Sequence, residues 1–189
     1  VVFVGAEEVM VDSRYSGCED LILAGTNSLM QFAISTVLDE FTVYNDVNLA
    51  AGGARLNLHD GTNGKYLKVG HNFDIGAGAR FDSQIGFGST ASRLNLNGSS
   101  LQTVTVDPAG FVGGSVAGVN TSSNVVNVLG TLEVTNTSTA SPNVIWDADN
   151  IRIKNALLLT SGRVSIASGK RLIIGNFSAV NTITCPTGY

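Results

Sequence analysis

The sequence predicts an all-β chain, a right-handed parallel β-helix or β-solenoid, and three observations carry that reading. The first is an internal repeat. Val47–Leu56, Phe73–Phe81 and Val164–Leu172 each read apolar-x-apolar, then a small glycine-bearing corner, then Arg and a new apolar residue. Leu21–Leu29 is a looser copy. The second is period-2 alternation along nearly the whole chain, the mark of short strands with one face inward. The third is spacing: Leu21, Val47 and Phe73 are separated by equal intervals, a period that fits one coil of a stack better than a hairpin pair. An antiparallel β-sandwich is the alternative, because turns at this frequency also suit a meander. A stack places Val47 beside both Leu21 and Phe73, and Arg55 beside Arg80.

The elements follow in order. Val9 and Val11 alternate, as do Leu21 and Leu23, then Val43, Val47 and Leu49. Leu56 and Leu58, Leu67 and Val69, Phe73 and Ile75, Leu94 and Leu96, and Val104 and Val106 continue the pattern. Val126 and Val128, Leu132 and Val134, Ile151 and Ile153, Leu157 and Leu159, Val164 and Ile166, and Leu172 and Ile174 complete it. Turn signals lie between them at Asp60-Gly61, Asn63-Gly64, Asn97-Gly98, Ser161-Gly162 and Ser168-Gly169. Asn27 to Glu40 is the one stretch with helical spacing, but Ile34, Thr36 and Val37 are β-branched and favour strand. About eight coils are expected.

Composition agrees. The 189 residues suit one domain over 1–189 with a sizeable core. Charged residues are only 14%, and the polar material is Asn, Ser, Thr and Gly, which suits strands and tight turns and disfavours helices. The net charge of −4 without a basic cluster argues against nucleic acid as a partner. No apolar run approaches the ~18 residues of a membrane-spanning helix. Val1–Val4 is already strand-like and the chain ends on Cys185-Pro-Thr-Gly-Tyr189, so the sequence is expected to be the ordered part of a longer polypeptide. In a stack rising ~4.8 Å per coil, Cys18 and Cys185 lie too far apart for a disulfide, which needs Cα atoms within ~7 Å. Cys18 is expected to act as a small apolar residue.

Candidate chemistry is sparse. His59, Asp60, His71 and Asp74 could ligate a metal or serve as acid and base. Asp60 is better explained by the turn it opens, and His71 and Asp74 by a solvent face. Asp147 and Asp149 form the tightest acidic pair and share one strand face, an arrangement that could bind Ca²⁺. A solvated strand edge accounts for them more simply, and no metal or cofactor is expected. The other acids are dispersed. Arg55, Arg80 and Arg171 recur just after the glycine corner. They read as gatekeepers and as donors to carbonyls freed by the turn, and alternatively as a ladder for acidic polysaccharide.

Asn95–Val104, Leu129–Val134 and Leu157–Gly175, together with the opening Val9–Leu23, resemble the repeat regions of large surface proteins of Bacteroidetes. The resemblance implies a secreted protein of the outer cell surface, of the kind exported by the type IX secretion system, acting as an adhesin or stalk or in gliding motility. It implies no catalytic residues. The partners it implies are surface glycans, other cell-surface or secretion proteins and flanking domains of the same polypeptide, without membrane insertion. The middle section Asp107–Asn124 departs from the pattern. The competing functions are a polysaccharide lyase or hydrolase on the same scaffold, and a phage tail-fibre segment.

Overall fold

The structure, a computed structural model, describes residues 1–5, 8–11, 17–32, 40–50, 52–58, 65–83, 92–113, 127–149, 151–175 and 182–184. Every regular element among them is a strand. β1 (Val2–Phe3), β2 (Glu8–Val11) and β3 (Gly17–Cys18) each open a separate sheet. β4 (Leu21–Leu23), β5 (Leu29–Phe32) and β6 (Glu40–Val43) add one strand to each sheet in the same order. β7 (Val47–Leu49), β8 (Arg55–Leu58) and β9 (Tyr66–Val69) do so again, followed by β10 (Phe73–Ile75), β11 (Arg80–Ser83) and β12 (Arg93–Leu96). β13 (Gln102–Val106), β14 (Phe111–Val112) and β15 (Asn127–Thr135) close the fifth circuit.

Beyond this the rotation changes. β16 (Val144–Asp147) and β18 (Val164–Ile166) extend the first sheet, while β17 (Ile151–Ser161) and β19 (Leu172–Ile174) extend the third. β20 (Thr182–Thr184) also pairs with β17. The long strand β17, paired with β15, therefore carries two further neighbours, β19 on its first part and β20 further along. The sheets hold seven, five and eight strands, the eighth of the third sheet being β20, which lies off its main path.

Every pairing between these strands is parallel. That excludes an antiparallel sandwich for the described residues. Parallel neighbours need a long crossover, and through the first five circuits that crossover is the rest of the circuit through the other two sheets.

Register puts like on like. Val47 pairs with Leu21 on one side and Phe73 on the other, the contact expected of a stack. Val104, Trp146 and Ile166 continue that column. In the second sheet Met30, Leu56, Phe81 and Val112 form a column. In the third, Phe41, Leu67, Leu94, Leu132 and Leu157 do the same. These residues are buried, apart from Ile166 at one end of its sheet. Burying each such side chain contributes about 1.5–3 kcal/mol. Phe73 and Phe81 meet edge to face across the first and second sheets, with centroids 5.0 Å apart.

The corner has a conformational cause. Gly52, Gly78 and Gly169 occupy the same place in the three strict copies, and all have positive φ (73°, 74° and 76°). In the looser copy the left-handed residue is Asn27, at φ 62°. Glycine and, less readily, asparagine tolerate that region.

One inward assignment is corrected. Val128 is partly exposed, and Leu129 joins the core in its place. The cause is an irregularity in β15, whose register against β17 shifts between Leu129 and Thr131. Cys18 is a free thiol, half-buried and packed against the core, and burial raises its pKa. Cys185 lies outside the described residues, as do residues 33–39 of the ambiguous stretch. The remainder of that stretch contributes β5 and the start of β6.

Candidate functional site

Arg55 opens β8 and Arg80 opens β11, and the two are paired in register. Their inward neighbours Leu56 and Phe81 are fully buried, so alternation turns both arginines to the outer face of the second sheet. Two residues on, in register with each other, stand Asn57 and Asp82. These also face outward, yet both are buried.

The charges meet at Asp82. Arg80 Nε donates to Asp82 Oδ1 at 2.6 Å, and Arg55 Nε donates to Asp82 Oδ2 at 2.5 Å. Arg55 Nε also reaches Asn57 Oδ1 at 2.8 Å, and Arg80 stacks over the Phe111 ring at 4.2 Å. A buried carboxylate must be paired to be tolerated, and this one is paired twice. Its side chain is 1% exposed, whereas those of Arg55 and Arg80 are 42% and 39% exposed. The cluster thus sequesters its negative charge and presents a net positive one. The expectation that these arginines serve turn carbonyls is corrected: their Nε groups serve a carboxylate, because Asp82 shares their outer face, two residues on from Arg80 and on the strand beside Arg55.

Arg171 precedes β19 and does not join this pair. Its Nε lies 3.5 Å from Asp149. Lys170 Nζ lies 3.4 Å from Asp147. The two acids are thus each matched with a cation from the following copy of the repeat. No group of three or more His, Cys, Asp or Glu side chains among the described residues is placed to hold a metal ion. His59 and Asp60 lie outside the described residues.

His71 Nδ1 contacts Asp46 Oδ1 at 2.7 Å, and Asp46 belongs to a ladder. Asp20 Oδ1 accepts the Asp46 amide at 3.4 Å, Asp46 Oδ1 the Asn72 amide at 2.8 Å, and Asn72 Oδ1 the Thr103 amide at 2.9 Å. Asn143 Oδ1 accepts the Arg163 amide at 2.7 Å in the same way. Sequence reasoning missed this ladder. Its signal was an Asp or Asn immediately before four strands of the first sheet, β4, β7, β10 and β16: Asp20, Asp46, Asn72 and Asn143. Asp74, beyond the ladder, is half-buried on the outer face of the first sheet. Burial raises its pKa, the Thr105 hydrogen bond opposes this, and Asp46 adds to it.

The third sheet carries a second polar cluster. The Tyr66 hydroxyl donates to Glu133 and accepts from Asn95 Nδ2 at 2.7 Å. Arg93 and Lys68 lie 5.0 and 5.3 Å from the Tyr66 ring centre. Burial, and then the bond to Glu133, raise the tyrosine pKa. A cleft of about 390 Å³ lies between Asn136–Asn143 and Ser161–Arg163, lined by Thr137, Ser138, Thr139, Ser161 and Arg163 among others.

Compared with family models, with curated proteins and with solved structures, the chain matches none. The site therefore rests on its own geometry. No helix among the described residues is long and apolar enough to cross a membrane.

Proposed function

We propose that the chain is a single right-handed parallel β-helix, a non-catalytic adhesive or stalk segment of a larger secreted bacterial surface protein. The observation that carries this reading is the five-fold rotation through three parallel sheets, with like residues stacked on like. In such a stack each circuit leans only on its neighbours, so stability accumulates along one axis and the product is a stiff rod. The right hand follows from the strong preference of parallel crossovers within a sheet.

A rod holds a surface away from the cell. The Asn, Ser and Thr groups of the polar cleft offer hydrogen bonds suited to sugars, and repetition along a longer polypeptide converts weak contacts into avidity. The location that goes with this reading is the outer cell surface, reached by type IX secretion. Surface glycans and other surface proteins are its partners.

The test is to immobilise the chain on a glycan array and, separately, to incubate it with the glycans it retains. Retention without cleavage supports the reading. Cleavage that disappears in Asp147→Asn or Asp149→Asn overturns it in favour of a polysaccharide lyase or hydrolase.

A further inference from the structure

We propose that Arg55 and Arg80, set by the buried carboxylate of Asp82, form a binding site for the oxyanions of an acidic polysaccharide. This rests on the adhesive reading above and names the ligand class.

Three features point to an anion. The first is charge: two guanidinium groups share one carboxylate, leaving an excess positive charge on the exposed side. The second is orientation. Each arginine is engaged through Nε on the inner side. The far end of each planar group carries the two terminal nitrogens, whose spacing matches the two oxygens of a carboxylate or sulfate. The third is preorganisation. Asp82 is fully buried, Leu56 and Phe81 lock the backbone on the inner side, and Phe111 backs the Arg80 guanidinium. Ordering two long side chains before a ligand arrives removes much of the entropy cost of binding.

The geometry favours a polymer. Neighbouring parallel strands place the two arginines about 4.8 Å apart, so successive anionic groups of one chain can meet successive arginines. Lys170 and Arg171 do not extend the site, because Asp147 and Asp149 match them charge for charge.

Calorimetric titration of the whole chain tests this, with polygalacturonate and dextran sulfate as the anionic probes and dextran as the neutral control. Either anionic probe should bind, more weakly at high salt, and polygalacturonate alone or dextran sulfate alone identifies carboxylate or sulfate as the group read. Arg55→Lys/Arg80→Lys keeps the charge but removes the planar edge, and affinity should fall about tenfold or more. Arg55→Gln/Arg80→Gln/Asp82→Asn removes all three charges together, so no buried charge is left unpaired, and should abolish binding with the strand signature in circular dichroism retained. Unchanged affinity in a folded variant overturns the proposal, as does absence of binding to both anionic probes. Absence of anion binding with retention on neutral glycans overturns this site alone. Absence of binding to every glycan overturns the adhesive reading with it.

Discussion

Asp46 Oδ1 accepts the backbone amide of Asn72 at 2.8 Å, one link in a ladder of side-chain bonds between neighbouring circuits. The same carboxylate oxygen lies 2.7 Å from His71 Nδ1, so a single atom ties together a corner and a side chain of the following circuit. Asp46→Ala leaves that amide without its acceptor. Hydrogen bonds to charged groups contribute about 1.5–3 kcal/mol, so a loss near the lower figure is expected in urea unfolding, given the partial exposure of the carboxylate. Asp46→Asn keeps an acceptor oxygen and should lose less. Equal losses in the two variants would remove the ladder from the account of stability.

The interior makes a larger demand. Phe73 lies between Val47 and Val104 in its column and packs edge to face on Phe81. Phe73→Ala empties one level of the stack, and truncations of this kind cost about 3–5 kcal/mol. Because circuits lean only on neighbours, the damage should be local. Hydrogen exchange is expected to accelerate most in β7, β10 and β13, with β17 far less affected. Uniform acceleration along the chain would contradict the one-dimensional picture.

The strand pattern and the stacking of Leu21, Val47 and Phe73 were legible because both rest on local alternation and on even spacing. The corners were legible for the same reason, since Gly52, Gly78 and Gly169 repeat in sequence the backbone angle they repeat in space. Less legible was anything that depends on what lies outside the sheets. Asp82 read as one dispersed acid among many because alternation marks it outward, and outward acids are normally solvated. Its burial, and its capture of Arg55, join residues of two circuits, which the spacing of the repeat hints at but does not specify. Arg171 showed the opposite failure: its local sequence copies that of Arg55 and Arg80, yet it meets Asp149, because β19 lies against β17 and not against the strands of the other two. The displacement in β15 came from a bulge, which no periodic reading anticipates.

Close approach at the corners gives a third prediction. A Cβ added at Gly76 would stand 2.0 Å from the Ala50 carbonyl oxygen, a backbone atom that cannot rotate away. Gly76→Ala should therefore force the two circuits apart and lower the melting temperature markedly. Gly169 has positive φ but open space around the new atom. Gly169→Ala should cost only the left-handed backbone penalty, about 1–2 kcal/mol. Thermal unfolding of the two variants side by side checks the order, and a Gly169 variant less stable than the Gly76 variant would reverse the argument.

The pH dependence offers the last test, and its sign follows from Asp74. Burial raises this carboxyl above its unfolded value, so the folded chain holds the proton more tightly than the unfolded chain does. Where the folded state binds more protons, stability falls as pH rises. The contribution of Asp74 is accordingly present in full below the unfolded pKa, near 3.8, and is lost as pH rises through the higher folded value. At neutral pH the charged group is a burden. Asp74→Asn removes the titration and keeps a polar group beside Thr105, so the variant should melt higher than the parent at neutral pH. That advantage should shrink as the pH is lowered and the parent takes up its proton. Thermal unfolding of both proteins across the acidic range measures the difference directly. A gap that stays constant with pH would show that the asparagine acts through packing alone and that Asp74 titrates alike in the folded and unfolded chain.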